Sequence, residues 1–399
     1  MGLFGPPNIE KMKARHDVNG LIKALDYQKD IKIQTAAARA LGEINDPLAM
    51  DALIMALEDK SVFEDSAQAL SQMGAPALDK LITVIKTPCL EKDLALRSQI
   101  LAEKKIAANA LVRIGASAVN PLVALLQEED KVTRWYAVDA LGEIGDLRAV
   151  EPLIALLKRE ESGDIRRAID LILGQLGDQR AVQPLINELC RDLSIGKFAA
   201  QSLDKLGWQP GQNEESAFYW IVNDQIMKCA ELGPLAEKAL IAALKYITYY
   251  ARDAVKLLDQ LGWIPGQDET AVHYYLAKGN LNKCQEFGAI SGKPLISLMQ
   301  LPSNPQAGDA ALVLAKMGDP RAIEPLINTL KDYWRSKEHD RYVLKVFEAL
   351  SILYKSEALD PAQKELIFTN CGNFKSPHIQ YWDTFEDTYV DIPSHSFPL

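Results

Sequence analysis

Lys105, Trp135, Arg167, Lys197 and Arg252 recur along this 399-residue chain at the same point of a repeating pattern, and they are its best candidates for binding chemistry. Four residues after each stand Asn109, Asp139, Leu171, Gln201 and Lys256, one helical turn on along the same face. Guanidinium and ammonium groups recognise carboxylates, and an indole supplies the kind of anchor that dominates interface energetics. Such a row suits an acidic protein segment, a small carboxylate-bearing ligand or nucleic acid. The competing reading is a solvated face, whose long stems cover apolar neighbours while their charged heads sit in water.

Other chemistry is sparse. The histidines His16, His273, His339, His378 and His395 are scattered, and Cys89, Cys190, Cys229, Cys284 and Cys371 form no C-x-x-C pair. His378 with Cys371, Asp383, Asp387 and His395 matches no metal-ligand spacing, so surface histidines are the simpler account. No phosphate loop, G-x-S-x-G elbow or H-x-x-x-H helix is present. Neither a cofactor nor a metal is expected.

The elements that position the row come from a repeated phrase: Ala-Leu, two residues, an aliphatic residue, Gly-Asp, then Arg-Ala-Val/Ile-x-Pro-Leu-Ile. It runs from Ala140 to Leu157, Ile172 to Leu189 and Val313 to Leu330. A period of about 30 residues with helical spacing on both sides of a Gly turn predicts an all-α, α-α superhelical solenoid. Aligned on Leu41, Leu70, Leu111, Leu141, Leu173, Leu203, Leu258 and Leu314, the phrase has small or apolar residues four places earlier and aliphatic or Met residues three places later. These positions make one buried helical stripe. The row lies six places before each aligned Leu, off that stripe, on second helices expected to line a concave side.

The Gly or Asn after the stripe is expected to turn left-handed, the next Asp to cap, and Pro152, Pro184 and Pro325 to sit in a first turn. Leu206-Gly-Trp-Gln-Pro-Gly-Gln recurs as Leu261-Gly-Trp-Ile-Pro-Gly-Gln. That second, longer repeat carries an inserted helical segment, with Trp208 and Trp263 read as core anchors. About nine helical pairs follow, in this order: a cap over 1–16, regular repeats over 17–205, two long repeats over 206–299, further repeats over 300–370, and an aromatic tail over 371–399 read as a cap.

The phrase from Ala140 to Leu157 resembles the HEAT-like repeat named after phycobilisome lyases, and the resemblance extends from about Asp17 to Leu330. It implies the fold. Its members include bilin lyase subunits, a metal-dependent deoxyhypusine hydroxylase, and bacterial and archaeal interaction proteins, so it leaves function open. The hydroxylases bind iron through His-Glu pairs, and this sequence has none.

A formal net charge of -10 disfavours broad contact with phosphate backbones or anionic lipid. No run approaches a membrane span, no signal peptide is evident, and the separated cysteines suit a reducing cytoplasm. The leading expectation is a non-enzymatic scaffold holding a protein or peptide in its concave groove. A bilin lyase-like, chromophore-handling protein is the alternative, and a nucleic-acid binder the third reading.

Overall fold

The computed structural model describes residues 6–88, 94–246, 249–333 and 340–371. All regular structure among them is α or 3-10 helix. The chain divides into two compact units, Met1–Gly211 and Gln212–Leu399.

In the first unit the helices Ile31–Ile44, Phe63–Met73, Leu94–Ile114, Lys131–Ile144, Gly163–Leu176 and Gly196–Lys205 form one layer, each packed on the next. Each also packs on the shorter helix before or beside it, from Val18–Leu25 to Val182–Arg191, and these shorter helices form the second layer. The unit is an α-α solenoid stack.

The aligned leucines drive the stacking. Leu41, Leu70, Leu111, Leu141, Leu173 and Leu203 are all 0% exposed, each worth roughly 1.5–3 kcal/mol of transfer free energy. Four residues earlier, Ala37, Ser66, Ala107, Ala137, Ile169 and Ala199 are equally buried. Small residues let the backbones come close: a Cβ at Gly42 would stand 2.7 Å from the Cα of Ala69. The third position of the expected stripe departs from the pattern. Ile44, Ile114, Ile144 and Leu176 are only half-buried, and only Met73 and Leu206 are covered. They occupy the last helical turn, where the chain swings out into the turn that follows.

The turns follow the sequence. Asn45, Gly145 and Gly177 take left-handed φ values of 54°, 72° and 72°. The Asp146 Oδ1 accepts from the Arg148 backbone N–H at 2.9 Å, and Arg148 Nη2 donates to Ala116 O of the previous repeat at 2.6 Å. The Gly-Asp-x-Arg letters thus clasp adjacent repeats. Pro152 and Pro184 lie in the first turns of Val150–Arg159 and Val182–Arg191.

One expectation needs correction. The helical stretch Leu94–Leu125 is long and apolar enough to cross a bilayer by length and composition. In the fold it is two helices of one repeat, turned at Gly115 with φ 74° and packed against neighbouring helices.

In the second unit, Glu214–Val222 and Glu269–Ala277 are helices at corresponding places in the two copies of the Leu-Gly-Trp-x-Pro-Gly-Gln stretch. Their equivalence extends to the thiols. Cys229 Sγ donates to Ala217 O at 3.7 Å and Cys284 Sγ to Val272 O at 3.8 Å. Trp263 is half-buried, its ring tilted against Tyr274 at 5.4 Å, and Trp208 is likewise half-buried. Beyond them Gly292–Met299, Ala307–Lys316, Ile323–Tyr333 and Asp340–Lys355 enclose a core that includes Leu295, Leu314, Leu326, Val346 and Leu350. Pro361–Cys371 packs on that end. The expected aromatic tail cap, beyond Cys371, lies outside the described residues.

Candidate partner-binding surface

Helix register decides which letters of the second helices reach solvent. Adjacent residues differ by about 100° around an α-helix, so the positions six and seven places before the aligned Leu face different surroundings. At six places, Lys105, Trp135, Lys197 and Arg252 are exposed and Arg167 is half-buried. At seven, Lys104 is 0% and Arg166 6% exposed.

The seven-place column is a polar ladder that ties helix ends together. Lys104 Nζ donates to Ile85 O at 2.5 Å, Thr133 Oγ1 at 3.1 Å and Asp130 at 3.3 Å. Arg134 donates to Glu160 through Nε at 2.7 Å and Nη2 at 3.0 Å, and through Nη1 to Glu129 O at 2.7 Å. Arg166 is bonded to Glu188, with Asp192 3.7 Å away. Each of these cations therefore meets carbonyls or carboxylates of neighbouring elements, as burial of charge requires. Lys104 meets the end of Ala75–Lys86 and the start of Lys131–Ile144, Arg134 the loops on either side of its repeat, and Arg166 meets Glu188 of Val182–Arg191.

On this base the outward column forms a cavity of about 500 Å³ between Leu94–Ile114, Lys131–Ile144 and Gly163–Leu176. Lys131, Trp135 and Tyr136 line it from Lys131–Ile144, and Ile165, Arg167 and Leu171 from Gly163–Leu176. Tyr136 is 7% exposed, and its hydroxyl donates to Leu101 O at 2.9 Å, which fixes the ring. Trp135 meets that ring edge-on at 5.1 Å while remaining 39% exposed. Arg167 pairs with Asp164, and its guanidinium carbon lies 5.2 Å from the centre of the Phe198 ring. The anchor and one cation of the row are thus held in place around the same apolar cavity.

The other row residues are more open. Asn109, Asp139 and Gln201 are exposed. Partial burial raises the Asp139 carboxyl, Glu143 raises it further, and Lys105 opposes both. The Lys197 side chain makes no hydrogen bond or ion pair among the described residues. In the second unit Lys256 pairs with Asp253 at 2.7 Å, and Arg252 lines a separate small cavity with His273, Asn304 and Gln306.

Sequence reading passed over two buried groups. Asp170 is 0% exposed with neither carboxylate oxygen hydrogen-bonded. Burial pushes its carboxyl up to about 8, Glu188 adds to the rise, and Arg166 opposes it. The signal was available, because this column holds Ala38, Ala67, Ala108, Val138 and Ala200 in the other repeats of the unit. His273 is 6% exposed and stands where the first long repeat has Phe218.

Burial pushes both the Cys229 and the Cys284 thiol up to about 12, which keeps them protonated and non-nucleophilic. No cluster of metal-ligating side chains occurs among the described residues. His378, Asp383, Asp387 and His395, together with the Cys371 side chain, lie outside the described residues.

Stacked helical pairs joined by left-handed turns define an α-solenoid. The family models refine that class: residues 18–100 and 93–171 match HEAT repeats, and residues 307–332 match the PBS lyase HEAT-like repeat. The chain is a HEAT-like repeat protein. No curated protein matches it. Among solved structures it is similar to the CpcE and CpcF complex of phycocyanin lyase from Nostoc sp. PCC7120, with 21% identity, 54% of this chain and 85% of that chain covered, and a TM-score of 0.23. Human deoxyhypusine hydroxylase in complex with glycerol is similar at 17% identity, covering 56% of this chain and 88% of that chain, with a TM-score of 0.23. Kap121p gives 12% identity over 96% of this chain and 54% of its own length, with a TM-score of 0.32. Likeness of this order says nothing of ligand or activity.

Proposed function

We propose that this protein is a non-enzymatic scaffold that holds an acidic protein or peptide on the second-helix face of its first unit. The observation that carries this reading is the exposed Trp135 on the wall of a 500 Å³ cavity that it shares with Arg167. Sites for small ligands span about 300–1,000 Å³ and combine apolar walls with a few placed polar groups. An apolar side chain of the partner occupies the cavity, and its flanking carboxylates meet Lys105, Lys131, Arg167 and Lys197. Asn109, Asp139 and Gln201 flank that path as hydrogen-bonding groups. Arg252 and Lys256 hold the equivalent positions on the second unit.

Trp135 gives the test. In fluorescence polarisation with labelled peptides, acidic peptides carrying a central Leu or Phe should bind, and Lys-rich peptides should not. Trp135→Ala should weaken binding roughly tenfold or more, as expected for an interface anchor, with an unchanged melting temperature. Undiminished binding to Trp135→Ala would remove the anchor from the account. Protein purified from bilin-producing cells should be colourless, and a coloured product would put a tetrapyrrole in the peptide's place.

A further inference from the structure

A second, smaller cavity of about 30 Å³ lies wholly within the second unit, lined by Arg252, His273, Asn304 and Gln306 between the apolar side chains of Leu244 and Leu276. His273 is 6% exposed, and its Nδ1 has no hydrogen-bond partner among the described residues. Its Nε2 stands 3.5 Å from Glu269 Oε1, one turn earlier on the same helix. In the first long repeat this column holds Phe218, 1% exposed, so the fold accepts a phenyl ring where this repeat places an imidazole. The Arg252 side chain makes no hydrogen bond or ion pair among the described residues. Asn304 Oδ1 accepts from the Gln306 backbone N–H at 3.0 Å, which leaves its amide N–H groups as donors.

The charges around the ring are unbalanced. Lys245, Lys293 and Arg252 face it from three other elements, and Glu269 is the one carboxylate among these groups. Among the described residues, a buried ring nitrogen without a partner beside an unpaired guanidinium and two amides is a donor set without its acceptor.

We propose that this cavity binds a carboxylate, one oxygen taken by Arg252 and the other by the Nδ1–H of His273, with the amides of Asn304 and Gln306 as further donors. The cavity holds little more than the two oxygens and their carbon, so the ligand is a small free acid or the end of a longer chain that leaves through the mouth. The site is independent of the Trp135 cavity. Binding is coupled to a proton. Burial lowers the His273 pKa, Lys245 and Lys293 lower it further, and Glu269 opposes them, so the ring is neutral in the empty site at neutral pH. A bound anion draws a proton onto it, and affinity rises as pH falls.

The experiment is a titration of the full chain followed by the His273 ring signals in NMR, assigned with His273→Phe. Sodium acetate should shift them saturably, with affinity roughly tenfold higher for each unit that pH falls through the range where the ring titrates. Arg252→Gln, at an exposed position, should weaken the response at least tenfold and leave the fold intact. His273→Phe should keep its melting temperature, as the Phe218 column implies, and the Arg252 side-chain signal should then no longer respond to acetate. A short peptide with a free C-terminus, compared with its amidated form, separates the two sources: tighter binding than acetate, lost on amidation, marks a chain end, and tighter acetate binding marks a free acid. An absent response, an equal response to sodium chloride, or one unchanged by Arg252→Gln would overturn the proposal.

Discussion

Arg134 grips Glu160 through two parallel bonds, 2.7 and 3.0 Å long, between residues 26 apart in sequence. Glu160 is 2% exposed and also accepts from the Ser162 backbone N–H at 3.0 Å, so one carboxylate joins two repeats and starts the helix that carries Arg167. Burial pushes its carboxyl up, but the Arg134 bonds and the backbone N–H groups outweigh that and hold it below its ordinary value.

Breaking this pair leaves a buried group unmatched, which costs about 3–5 kcal/mol. Arg134→Leu should therefore lower the melting temperature by roughly 10 °C, given about 2–4 °C per kcal/mol for a unit of this size. Calorimetry of the variant checks it. A shift of only a degree or two would show that the pair contributes little.

The turn clasps should make stability acid-sensitive. The side chain of Arg148 holds the Asp146 carboxyl at about 2, and Arg180 does the same to Asp178. Both folded pKa values lie below the ordinary 3.8, so the stabilisation is present above that value and fades as pH falls towards 2. The melting-temperature gap between the native chain and Arg148→Gln should narrow over that window. A constant gap would mean that Arg148 acts through its bond to Ala116 O instead.

Asp170 should act in the opposite sense. Its folded pKa of about 8 is above the ordinary 3.8, so stability is complete below the latter and declines as pH rises through the former. Asp170→Asn, which keeps the shape without the charge, should melt higher than the native chain at about pH 8 and equally at about pH 4. An ionised, well-tolerated Asp170 would give equal melting at both.

The helix register is tested by neighbours. Leu141 is 0% exposed and Glu143 is exposed, so Leu141→Asp should unfold the stack whereas Glu143→Ala should change stability by less than about 0.5 kcal/mol. Similar melting of both variants would contradict the register.

The solenoid was legible because its letters are local. The Leu and Ala columns read directly as a stripe, and the Gly-Asp pair as a turn. The outward row was legible too, since Lys105, Trp135, Lys197 and Arg252 are exposed as the register requires. Its inner neighbour was not: Lys104 and Lys105 are the same residue type, and only the Ile85 carbonyl, Thr133 and Asp130, brought together by the stack, explain why one is buried. Pairing between residues of different repeats, as of Arg134 with Glu160, leaves no local pattern. Asp170 and His273 broke apolar columns and could have been found by reading down the alignment for the exception.

The central claim is that the cationic, aromatic face of the first unit binds an acidic partner. Its most direct test is the affinity of an acidic, apolar-anchored peptide for the native chain and for the double variant Arg167→Glu, Lys197→Glu. The account predicts a loss of roughly a hundredfold, about tenfold for each reversed charge, without a change in melting temperature. Equal affinity in the two proteins would show that the row is a solvated face.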